Sequence, residues 1–146
     1  MGVVRWDSEL TIEAPIDVVW RLTAGVEDWP AITPTMTRVV RLDDGPLRVG
    51  SRARIKQPRQ TEAVWTVTRF EEGRGFTWQT SRPGLTMVGS HLLREVDGGC
   101  HNTLVLELTG FAAPLVGRLV GRTIQQSIDT ENASFRAAAE RSREPG

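Results

Sequence analysis

The chain has no tyrosine, a single cysteine, two histidines and no surplus of either charge. Without tyrosine there is no phenol to act as a hydrogen-bond donor or proton relay. One cysteine, Cys100, excludes an intrachain disulfide and any multi-cysteine metal site, and fits a reducing, cytoplasmic setting. Lys plus Arg and Asp plus Glu number 18 each, so no net positive charge is available to attract nucleic acid. Long apolar runs are missing too. The opening "MGVVRWDSEL" places charges within its first ten residues, which predicts neither a signal peptide nor a transmembrane segment. Gly2 does not begin a myristoylation motif, because Trp6 stands where Ser or Thr is wanted.

What is present is an ordinary globular composition: 146 residues, 39% hydrophobic and 25% charged, the size of one domain spanning residues 1–146. From Val3 to Ile12 the apolar residues fall at even positions (Val4, Trp6, Leu10, Ile12), the period of a half-buried strand. "EAPIDVVWRLTAG" reads as a short helix, with Pro15 in its first turn, Asp17 at its positive end and Gly25 closing it. "VEDWPAITP" continues as a second short helical piece that Pro30 and Pro34 cut off. Six strands follow, over 35–42, 50–57, 63–70, 75–81, 86–96 and 103–111, and turn-forming Gly, Pro, Asp and Asn residues separate them.

From Pro114 to about Arg143 the period becomes helical, with Leu115, Leu119, Ile124, Ile128 and Phe135 on one stripe. Gly117 and Gly121 each weaken the first turns by about 1 kcal/mol relative to alanine, which predicts irregularity there and the most regular helix from Thr123. "SREPG" reads as a frayed tail. The order is β-α-α-β6-α. A long amphipathic helix and a six- to seven-stranded antiparallel sheet must each bury one face. A bent sheet gripping the helix satisfies both and encloses more volume than the helix fills.

Particular residues carry a resemblance. "TIEAPIDVVWRLTAGVEDWPAITP", "LRVGSRARI", "WTVTRFEEGRGFTWQTSRPG", "SHLLREVDGG" and "SIDTENASFRAAAE" together resemble the SRPBCC superfamily, over roughly Leu10 to Glu140. Within that superfamily the chain is similar to the polyketide cyclase/dehydrase and lipid-transport group. The resemblance implies an α+β helix-grip (START-like) fold: a curved antiparallel sheet round a C-terminal helix, with two short helices after the first strand. It also implies an apolar cavity for a polyketide-, lipid- or sterol-like molecule. Some family members cyclise and dehydrate poly-β-ketones, and the family has no universal catalytic motif to carry over.

His91 and His101 are the only candidates for imidazole acid/base work. His101 lies in "DGGCHN" and reads as a solvated loop residue. His91 shares strand parity with Met87, Gly89 and Leu93. If that face is inward, His91 is the catalytic candidate and Gly89 leaves room for a ligand; if outward, it is a surface residue. No G-x-S-x-G, no H-x-x-x-H or C-x-x-C spacing and no glycine-rich phosphate cradle is present, so no nucleophile, metal or cofactor is expected.

Five tryptophans offer large apolar surfaces with one donor each. Trp6 and Trp20 read as structural, tying the first strand to the first helix, and Trp29 as a residue near the cavity mouth. The expected lining is Trp29, Trp65, Trp78, Thr80, Met87 and His91 from the first two-thirds of the chain, with Leu106, Thr123 and Ser127 from the last strand and helix. Glu107 opposes Leu104, Leu106 and Leu108 in parity and should face water. Glu131 lies on the helical stripe and requires either an arginine partner such as Arg38 or Arg54, or a seat at the helix edge, the reading favoured by its cost in an apolar core. Arg48, Arg52, Arg54, Lys56 and Arg59 read as a solvated outer strand face. A hydrophobic-ligand binder, a polyketide aromatase/cyclase and a protein-interaction module with a self-filled cavity, acting as a dimer or on another partner, are the three functions these residues admit.

Overall fold

The computed structural model describes residues 3–142. β1 (Val4–Ile12) leads into α1 (Ile16–Ala24), a 3-10 turn (Val26–Asp28) and α2 (Trp29–Ile32). Then come β2 (Arg38–Arg41), β3 (Arg52–Lys56), β4 (Ala63–Glu71), β5 (Gly75–Arg82), β6 (Leu85–Val96), β7 (Gly99–Thr109) and the 30-residue α3 (Ala113–Ser142). The tail from Arg143 lies outside the described residues, as does Gly2.

The seven strands form one antiparallel curved sheet in the order β1-β7-β6-β5-β4-β3-β2. The chain thus climbs the sheet hairpin by hairpin and closes it by laying β7 against β1. α3 crosses the concave face nearest β1 and β7. This is the α+β helix-grip architecture expected from the alternation of periods.

Element bounds differ from expectation where side chains or glycines intervene. β2 starts at Arg38 rather than Thr35, because the Thr33 hydroxyl accepts a hydrogen bond from the Thr35 N–H (3.2 Å) and holds that stretch as a turn. β7 starts at Gly99 rather than Thr103: Asp97 and Gly98, the latter at φ +81°, make a two-residue turn, so Val96 already pairs with Gly99. His101 is therefore a strand residue and not a loop residue, with Nε2 3.0 Å from Glu9 Oε1 across the β1–β7 pair.

α3 is continuous through Gly117 and Gly121, contrary to the expected irregularity. Their missing side chains make room for β1: a Cβ at Gly117 would stand 3.0 Å from Val4 Cγ1, and one at Gly121 would stand 3.3 Å from Trp6 Cζ2. Trp6 accordingly ties β1 to α3, not to α1. Trp20 of α1 reaches the β4–β5 turn, donating its indole N–H to Glu72 Oε1 (3.0 Å) and meeting Phe70 edge-on at 5.6 Å.

The other half of α3 is pinned by buried amides. Asn132 Nδ2 donates to Ser8 O (3.0 Å) and Asn102 Nδ2 donates to Asn132 Oδ1 (2.8 Å), so helix, β1 and β7 share one network. Phe135, Ala138 and Ala139 fill the space beside it. On β3, Arg52 and Arg54 alternate with buried Ala53 and Ile55 and face outward, whereas Arg48 and Arg59 lie in loops off that strand.

Candidate functional site

A cavity of about 940 Å³ opens between the sheet and the first half of α3. The parity of β6 decides its wall: Leu85, Met87, Gly89 and His91 point inward in succession, and His91 is 5% exposed. On β5 the inward residues are Phe76, Trp78 and Thr80, all buried. The hairpin thus supplies a wall on which Gly89 is the gap. A Cβ there would lie 3.6 Å from both Trp65 Cζ3 and Trp78 Cδ1, in ordinary contact, so the glycine leaves free volume between the two indoles. β7 adds Leu104, Leu106 and Leu108 from one parity, and Glu107 stands on the opposite face.

Eight of the nine expected lining residues surround this cavity: Trp29, Trp65, Trp78, Met87, His91, Leu106, Thr123 and Ser127. Thr80 does not. It is buried on the inward face, paired with Met87 across the hairpin, and does not line the void. Trp29 is corrected in depth: it is 0% exposed at the closed end rather than near the mouth. α2 presents it there because its indole N–H donates to Leu22 O (3.2 Å), fixing the ring across the sheet. The void near Trp78 and His91 also means that the cavity is not filled by the protein's own side chains.

At the closed end His91 sits in an aromatic box. Its ring lies 4.9 Å from Trp29, 5.2 Å from Phe76, stacked at 12°, and 6.1 Å from Phe135. Its nitrogens make no hydrogen bond among the described residues. Loss of hydration in this box pushes its pKa down to about 4, so the imidazole is neutral at physiological pH.

Glu131 is the group that sequence reasoning placed wrongly. It takes neither an arginine partner nor a seat at the helix edge: it is 8% exposed and lines the cavity, while Arg54 faces Glu62 at 3.9 Å. Among the described residues its side-chain partner is the Thr35 hydroxyl, which donates to Oε1 at 3.3 Å and is itself joined to the Thr33 hydroxyl at 2.9 Å. Burial raises its pKa to about 7, against the smaller lowering by Thr35. The signal for it was available in the sequence: a carboxylate on the apolar stripe of a helix belongs inside, and an interior with empty volume spares it the full cost of contact with hydrocarbon.

The mouth lies at the opposite end, between Val116, Val120 and Thr123 of α3 and the β3–β4 loop with the β5–β6 turn. Arg82 Nη1 donates to Thr61 Oγ1 (2.7 Å) and fastens that turn to the loop. Arg59 beside it holds φ +64°, a left-handed conformation rare for a side chain of this size. Chemically, the site offers an apolar chamber with a neutral imidazole, a carboxyl near half-ionisation and the free N–H groups of Trp65 and Trp78. Among the described residues no three His, Cys, Asp or Glu side chains converge as metal ligands would, and no helix is long and apolar enough to cross a membrane.

Solved structures share this architecture. The Zhui aromatase/cyclase from Streptomyces sp. R1128 matches with TM-score 0.79 at 18% identity, covering 98% of this chain and 97% of that one. Ginseng major latex-like protein 151 from Panax ginseng matches with TM-score 0.77 at 13% identity, covering 94% and 97%. The di-domain ARO/CYC StfQ from the steffimycin biosynthetic pathway matches over 96% of this chain and 52% of its own, with TM-score 0.77 at 13% identity. At such identities the likeness is one of fold. A search of curated proteins found no match. The model of the family described as polyketide cyclase / dehydrase and lipid transport matches residues 4–140, nearly the whole described chain, and the chain belongs to that family.

Proposed function

We propose that this protein binds a small hydrophobic molecule, polyketide-, lipid- or sterol-like, in the cavity between its sheet and α3. The observation that carries the reading is a chamber of about 940 Å³ walled by Trp, Met and Leu, in which burial holds His91 neutral and keeps Glu131 protonated up to about pH 7. That volume falls within the range of small-molecule sites. Apolar burial drives binding at about 25 cal/mol per Å² before ordering costs. The indole N–H groups of Trp65 and Trp78, His91 and Glu131 then orient the oxygens of the ligand.

Native mass spectrometry of protein purified from its own host tests this directly: a retained apolar molecule is expected, and it should be absent from a Gly89→Leu variant. Protein that is consistently empty and shows no tryptophan quenching by any of a panel of polyketides, fatty acids and sterols would remove the reading.

A second reading, a poly-β-ketone cyclase, is favoured by one specific observation: the two titratable side chains that face the cavity interior differ in proton affinity. Neutral His91 can take the proton from the attacking α-carbon of one β-ketone unit as that carbon bonds to the carbonyl carbon of another, while protonated Glu131 donates to the oxygen of the carbonyl under attack, leaving a β-hydroxy ketone. Shape-directed positioning of the chain supplies much of the effect. Full turnover of a cyclising poly-β-ketone by both Glu131→Gln and His91→Ala would sink it.

A further inference from the structure

The end of the molecule that carries the mouth is also chemically unlike the other end. The β7–α3 connection and the first turns of α3 expose three large apolar side chains: Phe111 at 74% just before the helix, then Leu115 at 60% and Leu119 at 73% in i, i+4 order on it. They continue round the helix into Val116 and Val120, which line the cavity, so apolar surface runs unbroken from solvent to the interior. Between Glu107 and Asp129 the chain has no acidic residue, and its only charges there are Arg118 and Arg122, both exposed.

The opposite lip of the mouth adds Arg59 and Arg82, also exposed. The antiparallel order sends the β3–β4 loop, the β5–β6 turn and the β7–α3 connection to this end. The β4–β5 and β6–β7 turns go to the far end, where Glu71, Glu72, Glu95 and Asp97 outnumber Arg74 and Arg94; at the mouth the β3–β4 loop holds one acidic residue, Glu62, which faces Arg54. A chain of zero net charge is thereby polarised, with a cationic and apolar mouth.

We infer that the mouth end of this protein docks on the surface of a bilayer containing anionic lipids, with Phe111, Leu115 and Leu119 entering the headgroup–acyl boundary. The four arginines match a negative surface potential, which attracts basic residues and falls off within a Debye length. The bulky aliphatic groups stand on a convex helix edge, a form suited to fluid acyl chains; a protein partner would need a matching concave pocket. Docked this way, the mouth meets the bilayer, and a hydrophobic molecule passes between membrane and cavity without crossing water.

Co-sedimentation of the full chain with vesicles tests the inference. The protein should pellet with vesicles of phosphatidylcholine and phosphatidylglycerol at low salt, and only weakly with phosphatidylcholine alone. A Leu115→Asp/Leu119→Asp variant should lose about tenfold or more in affinity. Arg118→Gln/Arg122→Gln should lose about fivefold per cation, an effect that salt reproduces in the wild type. Leu92→Asp, at an exposed site on the outer face of β6, should bind as the wild type does. No pelleting with anionic vesicles, wild-type binding by both mouth variants, or an equal loss in Leu92→Asp overturns the inference. So does capture of an acidic protein through this face without vesicle binding, or a concentration-dependent dimer that the Leu115→Asp/Leu119→Asp change dissolves. Vesicle binding is read with empty protein, so its failure is separate from any failure to hold a ligand.

Discussion

The two halves of α3 obey opposite rules. From Glu131 onward the helix buries Asn132, Phe135, Ala138 and Ala139, anchored by the amide network to β1 and β7. Before Glu131 only Ala113 is fully buried, and Leu115, Leu119 and Val120 are exposed while their neighbours roof a void. One continuous helix thus acts as a peg at one end and an awning at the other. The difference separates stability from the proposed binding: the packed half holds the sheet in its grip, and the lifted half stays free of contacts that a ligand would have to displace.

The largest effect expected from breaking this division is in the packed half. Phe135→Ala removes a ring in contact with Trp29 and His91 and should cost about 3–5 kcal/mol, read as a lower urea midpoint. Asn132→Ala strands the buried amide of Asn102 and should cost about 2–3 kcal/mol by the same measurement.

At the junction, the effect depends on pH. The Glu131 carboxyl loses its proton near pH 4.5 in the unfolded chain but only near 7 when folded, so its contribution to stability falls as pH rises between those values. The His91 imidazole takes up a proton near pH 6.5 when unfolded and near 4 when folded, so its contribution falls as pH drops through that window. The two slopes, each about 1.4 kcal/mol per pH unit, oppose one another where they overlap. Glu131→Gln removes one of them. Relative to wild type the variant should gain stability steadily from pH 4.5 to 7, which unfolding curves across that range would reveal.

The smallest effect on stability belongs to the lifted half. Thr123→Ala should change stability by less than about 0.5 kcal/mol, being exposed at the mouth, and any change should instead appear in ligand affinity. A large loss of stability there would mean that the roof is part of the core after all.

Much of this was legible in the sequence because it depends on local periodicity. Two-residue alternation in "RGFTWQTSRPGLTMVGSHLL" places Trp78 and His91 on matching faces, and once that hairpin is curved the inward sense follows from Phe76, Trp78 and Leu93 being apolar together. Parity likewise put Glu107 outside. The misreadings concern contacts that strand and helix periodicity does not encode. Trp6 and Gly121 are related only through the β1–α3 crossing, which periodicity does not encode. Trp29 reads as a mouth residue because the two short helices are expected to rim the cavity, yet it is fully buried at the closed end with its indole N–H bonded to Leu22 O. Glu131 reads as an edge residue because a carboxyl in a filled core is costly; the unfilled volume lowers that cost, and no single stretch of sequence records it.

The glycine pair on α3 works as a shim. By leaving out two side chains, Gly117 and Gly121 let the helix ride close over Val4 and Trp6, and that stand-off sets where the awning hangs over the chamber. Neither glycine nor Trp6 touches the cavity, so its capacity is adjustable from behind the wall. A methyl group added at position 121 would re-gauge which molecules fit without altering one residue they meet.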